Sequence, residues 1–84
     1  KIWKSMDNKK KFEKIFIEAL SIDNSKFNED IKYNDIPEWD SIGHMTLISG
    51  LEEGFEISLE TDDIVDFSSY KKGMEILEKY KISF

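Results

Sequence analysis

The sequence predicts an all-α protein: an antiparallel four-helix bundle with one short helix and a long first loop. Three observations predict it. Apolar residues recur at helical spacing in separate stretches, capping residues stand at the starts of those stretches, and no alternating segment has a partner with which to form a sheet. The 84 residues suffice for one domain and one core.

Residues 1–7 have no clear period and are read as a flexible N-terminal extension to a domain over residues 8–82. Phe12, Ile15, Phe16, Ala19 and Leu20 then follow the i, i+3, i+4, i+7, i+8 spacing of one helix face, with lysines and glutamates opposite. A first helix is expected over roughly residues 8–21. Residues 22–40 lose that period. Asp23, Asn24, Ser25, Asn28, Asn34, Asp35 and Pro37 are turn formers, and Ile22, Phe27, Ile31, Tyr33 and Ile36 are expected to tack this long loop to the core.

Asp40 and Ser41 are both good N-caps for a second helix whose periodic set is Ile42, Met45, Leu47, Ile48, Leu51 and Phe55, with Gly54 as its C′ stop. Residues 55–59 alternate apolar and polar, but a lone strand has no partner, so an extended loop is expected. Thr61 is read as the cap of a short third helix, and Ser68 or Ser69 as the cap of the last. The inner face of that last helix is Tyr70, Met74 and Leu77, with Ile76 or Tyr80.

Charge is unevenly spread. Residues 1–14 carry +4, residues 15–67 carry −12 and residues 68–84 carry +2, for a net −6. The acidic middle repels nucleic acid and steers the domain toward basic partner surfaces. The chain has no cysteine, which excludes disulfides and thiolate metal sites. No stretch is apolar for long enough to cross a bilayer and no signal-peptide pattern opens the chain, so a cytoplasmic monomer is expected.

The segment that points to chemistry is Asp40-Ser41-Ile42-Gly43-His44-Met45 at the mouth of the second helix. A serine there is an exposed hydroxyl beside unpaired backbone N–H groups, which together with the helix dipole favour an anion. Asp40 stands beside it, placed either to orient the hydroxyl or to help hold a metal ion brought by a modifying enzyme. Taken alone, an Asp-Ser pair is most often only a helix cap.

Asp40-Ser41-Ile42, with Leu51-Glu52-Glu53-Gly54-Phe55-Glu56-Ile57 at the end of the same helix, resembles the acyl carrier protein family. The likeness covers nearly the whole chain, from the amphipathic first helix to the closing fourth. It implies a non-enzymatic carrier in which Ser41 receives a covalent 4′-phosphopantetheine from a phosphopantetheinyl transferase. The thiol of that arm would hold acyl groups as thioesters for loading and transfer enzymes with basic docking surfaces. The resemblance further implies partner contacts at Ile42, Met45, Glu52 and Glu53, and an acyl pocket among Leu47, Leu51, Phe55, Ile57, Ile64 and Tyr70. Fatty-acid carriers usually have acids two and five residues after the serine, where this chain has Gly43 and Thr46. Trp39-Asp40-Ser41 and Gly43-His44-Met45 look more like discrete carriers of specialised pathways.

Other readings are weaker. Ser41, His44 and Asp40 lie too close along one helix for a hydrolase triad, and nothing supplies an oxyanion hole. His44 is expected to be exposed, with contact to a phosphate on Ser41 as the sharper alternative. A calcium loop started at Asp23 fails because Asn28 stands where glycine is required. Glu60, Asp62, Asp63 and Asp66 read as charges complementing a helix N-terminus, with no metal site. Two alternatives share the fold: an aminoacyl or peptidyl carrier, and an unmodified interaction module.

Overall fold

The computed structural model describes the backbone of residues 2–84 and the side chains of residues 8–84. It contains four α-helices, α1 (Ile2–Leu20), α2 (Ser41–Phe55), α3 (Thr61–Asp66) and α4 (Tyr70–Lys79), and one 3-10 turn at Asn24–Lys26. The only pairing of extended backbone among the described residues is a single antiparallel bridge between Lys32 and Ser69.

The first helix is longer than its apolar period. The expected extension of residues 1–7 falls outside the described side chains, and Lys1 outside the description altogether, but the backbone from Ile2 is already helical. Phe12, Phe16 and Leu20 are buried, as their spacing on one face requires. The helix stops where Ser21 turns left-handed, at φ 55°, and Ile22 N–H bonds back to the Ile17 carbonyl.

The core is an aromatic cluster. Phe12 stacks on Tyr70 at 4.7 Å between centroids, Phe16 meets Trp39 edge-on at 4.9 Å, and Phe27 meets Tyr70 edge-on at 5.1 Å. Tyr70 directs its hydroxyl to Glu13, and burial beside that carboxylate pushes its phenol above the ordinary range. Three residues of the first loop, Ile22, Ile31 and Trp39, enter this core, while Phe27 and Ile36 are half-buried against it. Tyr33 N–H donates to the Ser68 carbonyl and Tyr70 N–H to the Ile31 carbonyl, so the loop is laced to the start of α4. At the other end, Asn8 donates to the Ser83 carbonyl and Phe84 packs on Phe12.

Gly54 does not end α2. It lies inside the helix, and Glu56 takes the left-handed position instead, at φ 56°, with Ile57 N–H bonded to the Glu52 carbonyl. The reason for glycine at position 54 is proximity: a Cβ there would lie 2.5 Å from Ile15 Cδ1 of α1. Residues 57–60 belong to no helix or strand; Leu59 N–H bonds to the Glu52 carboxylate and Glu60 N–H to the Tyr80 hydroxyl. Thr61 is the first helical residue of α3 rather than its cap, a position held by Glu60 without a side-chain bond. Ser69 caps α4 by accepting from Lys72 N–H at 3.0 Å. Tyr70, Gly73, Ile76 and Leu77 are buried along α4, with Met74 partly so. No helix among the described residues is long and apolar enough to cross a membrane.

Candidate functional site

The head of α2 is fixed from its N-terminal side. Lys26 pairs with Glu38 at 2.9 Å, and this ion pair, with the glutamate's own backbone N–H, holds the Glu38 carboxyl below its usual range. Trp39 follows with its ring fully buried, its N–H on the Ile36 carbonyl and its own carbonyl accepting from Asn34. The indole thus anchors the residue just before the cap. Asp40 has extended backbone and accepts from Gly43 N–H at 2.8 Å, completing the N-cap, and His44 N–H bonds to the Asp40 carbonyl at 2.7 Å.

Ser41 is the first residue of the helix and is exposed. Its hydroxyl stands among the first N–H groups of a 15-residue helix, which have no partners further back in the helix. Gly43 has a steric cause. A Cβ there would collide with the Glu38 carbonyl oxygen, so no side chain, acidic or otherwise, fits two residues after Ser41 with the loop in this position.

Beside Ser41 opens a groove of 320 Å³ with mostly apolar walls. His44 and Met45 of α2 form one side, Ile64 and Val65 of α3 the other, and Tyr33 and Phe67 close the ends. Of its lining residues Met45 is 54% and Val65 75% exposed, and Ile42, next to Ser41 in the chain, is 77% exposed. A wider depression of 450 Å³ lies between α1 and the 3-10 turn, among Lys10, Glu13, Lys14 and Glu18, and shares no residue with this groove.

His44 is half-buried, not the exposed side chain its helix position suggests. Its Nδ1 accepts from the Trp39 indole N–H at 3.0 Å, and its Nε2 lies 2.9 Å from the Ile64 carbonyl oxygen. Acceptance at Nδ1 assigns the proton to Nε2, which then donates to Ile64. The ring lies near-parallel to Trp39 and takes the edges of Tyr33 and Phe67. Both nitrogens are therefore engaged away from Ser41.

The six residues expected to form an acyl pocket do not gather around one opening. Leu47, Leu51 and Tyr70 are fully buried in the core, Phe55 and Ile57 pack at its margin, and Ile64 alone lines the groove. The opening is lined instead by residues of the first loop, α2, α3 and the segment after α3. Of the expected partner contacts, Ile42, Met45 and Glu53 are exposed, whereas Glu52 is half-buried and accepts from Leu59 N–H at 2.8 Å. That carboxylate secures the turn after α2.

Asp63 is largely buried, bound by Lys79 and Tyr80, which hold its carboxyl below the usual range. Its role is to fasten α3 to the end of α4. Sequence reasoning missed the Trp39–His44–Ile64 chain because it joins a loop, a helix and a second helix. It also missed the exposure of Val65, because a six-residue helix is too short to show a period. Among the described residues no group of three or more metal-ligating side chains gathers. No family model matches the sequence, and no solved structure matches the chain.

Proposed function

We propose that the protein is an acyl carrier whose Ser41 bears a 4′-phosphopantetheine arm. The observation that carries this reading is an exposed serine as first residue of a long, well-capped helix, with an apolar groove opening beside its hydroxyl. The residues fit the group: the Ser41 and Ile42 N–H groups at the helix mouth favour a phosphodiester, and the groove offers apolar surface to whatever follows it.

Ser41 Oγ takes up the phosphopantetheinyl group of coenzyme A, losing its proton as adenosine 3′,5′-bisphosphate leaves. When bound, the arm supplies the terminal thiol that the cysteine-free chain lacks, and holds acyl groups there as thioesters. Asp40 keeps the serine at the helix mouth through its bond to Gly43 N–H. Ile42, Met45 and Val65 offer exposed apolar side chains to partner enzymes, and the acidic middle of the chain favours partners with basic surfaces. Tethering raises the effective concentration of the load at whichever enzyme is docked. In this reading the four helices form an antiparallel carrier bundle, and the acids missing after Ser41 point to a discrete carrier of a specialised pathway.

The test is intact-mass spectrometry after incubation with coenzyme A, magnesium and a promiscuous phosphopantetheinyl transferase. The wild type is expected to gain one phosphopantetheine and Ser41→Ala none. No gain on the wild type, with the transferase's natural partner modified in parallel, rejects the reading in favour of an unmodified interaction module.

A further inference from the structure

We infer that His44 is a proton-operated latch on the groove, closed when the imidazole is neutral and released when it is charged. The argument begins with Trp39. Its indole is fully buried, and among the described residues its N–H has one acceptor, His44 Nδ1. That bond requires a lone pair on Nδ1. The opposite nitrogen donates across the gap to the Ile64 carbonyl, so one ring ties the loop before Ser41, the first turn of α2 and the middle of α3.

Protonation converts both ring nitrogens into donors. Nδ1–H would then face the indole N–H, donor against donor, and the buried indole cannot turn away because Phe16 meets its ring at 4.9 Å. The imidazole is the partner able to move, since it forms a wall of the groove. Its departure also breaks the bond to Ile64. The third helix has six residues and no side-chain cap, so losing that tie frees its inner edge.

Apart from the Ile64 carbonyl, which accepts from Nε2–H in either charge state, the groups around the ring offer no acceptor to a proton on Nδ1. From the loop come Trp39 and the neutral Tyr33 ring, and from the end of α3 comes Phe67. On its own helix, the Asp40 carboxylate is committed to Gly43 N–H. On α3, Asp63 is turned to Lys79 and Tyr80, while Glu60, Asp62 and Asp66 are exposed. Among the described residues no carboxylate is hydrogen-bonded to the imidazole. The groove therefore widens on acidification, whether or not Ser41 is modified, so the inference is independent of the carrier reading.

The test is an NMR titration of the full chain from about pH 8 to about pH 5, the range in which histidines change charge. Trp3→Phe assigns the two indole N–H signals. The Trp39 indole and the amides of residues 64–67 are expected to shift with the same midpoint as the His44 ring protons. Exchange of the indole proton with water should quicken by roughly 2- to 13-fold across it, the factor for losing one net hydrogen bond. In His44→Gln, which cannot titrate, that coupled response should vanish. A His44 ring that titrates while the Trp39 indole and α3 signals stay fixed overturns the latch, and so does an unchanged response in His44→Gln.

Discussion

The two halves of α2 follow different rules. Its second half, from Leu47 to Phe55, buries Leu47, Ile48 and Leu51 and sets Gly50 and Gly54 against Ile15 of α1. Its first half, from Ser41 to Met45, presents Ser41, Ile42 and Met45 to solvent and is held by single polar contacts: Asp40 to Gly43, Trp39 to His44, His44 to Ile64. One half is fixed by volume, the other by hydrogen-bond geometry. Volume gives rigidity, and a few directed bonds give a surface that is accessible and able to open.

The largest test of that contrast is the same truncation made in each half. Leu51→Ala removes a fully buried side chain and is expected to destabilise the protein by about 2–5 kcal/mol. Ile42→Ala removes a side chain that already faces water and is expected to change stability by less than about 0.5 kcal/mol. Urea unfolding of both variants reads the difference directly. Similar losses would mean that the front of α2 is packed after all.

The helix's glycines sharpen the comparison at a smaller scale. In Gly43→Ala the new methyl meets the Glu38 carbonyl oxygen, a backbone atom pinned by the bonds of Trp39, so a cost of about 1–3 kcal/mol is expected. In Gly54→Ala it meets Ile15 Cδ1, the far end of a half-buried side chain with room to rotate. There the helix preference for alanine, worth up to about 1 kcal/mol, offsets the repacking, and the net change should be smaller than about 1 kcal/mol. Thermal midpoints of the two variants decide it. A more damaging Gly54→Ala would show that the α1–α2 seam has no slack.

These glycines also show what was legible in the sequence. Periodicity finds Phe12, Phe16, Leu20, Leu47 and Leu51 because a helix repeats, and caps find Asp40 and Ser69 because a cap is local. The all-helical fold and the position of Ser41 at a helix mouth follow from those two signals. Gly54 reads as a stop because glycine commonly ends helices, and only the approach of Ile15 reveals its other reason. The fate of His44 was illegible for the same cause: its partners Trp39 and Ile64 lie on other elements, and helix phase alone leaves it facing outward. Leu47, Leu51 and Tyr70 are apolar whether they line a cavity or fill a core, so composition cannot separate a pocket from its filling.

The smallest expected effect concerns the far side of the groove, where α3 is held by charge. Asp63 accepts from Lys79 and Tyr80, and Tyr80 in turn accepts from Glu60 N–H, so two helix ends share one carboxylate. The carboxyl of Asp63 is lowered mainly by Lys79 and then by Tyr80, so as pH falls the unfolded chain protonates first. Its stabilising contribution is complete above the unfolded value of about 3.9 and is lost as pH falls through the lower folded value. Lys79 and Tyr80 are both raised by Asp63, so on the alkaline side the contribution is complete below about pH 10 and is lost as pH rises through their folded values. Asp63→Asn should therefore lower Tm by a constant amount between these limits and converge on the wild type in strong acid and strong base. Because the lysine is mostly exposed, salt should shrink the gap as well. A gap that persists undiminished in strong acid would show that α3 is held by shape rather than by charge, leaving both walls of the groove under the packing rule of the back half of α2.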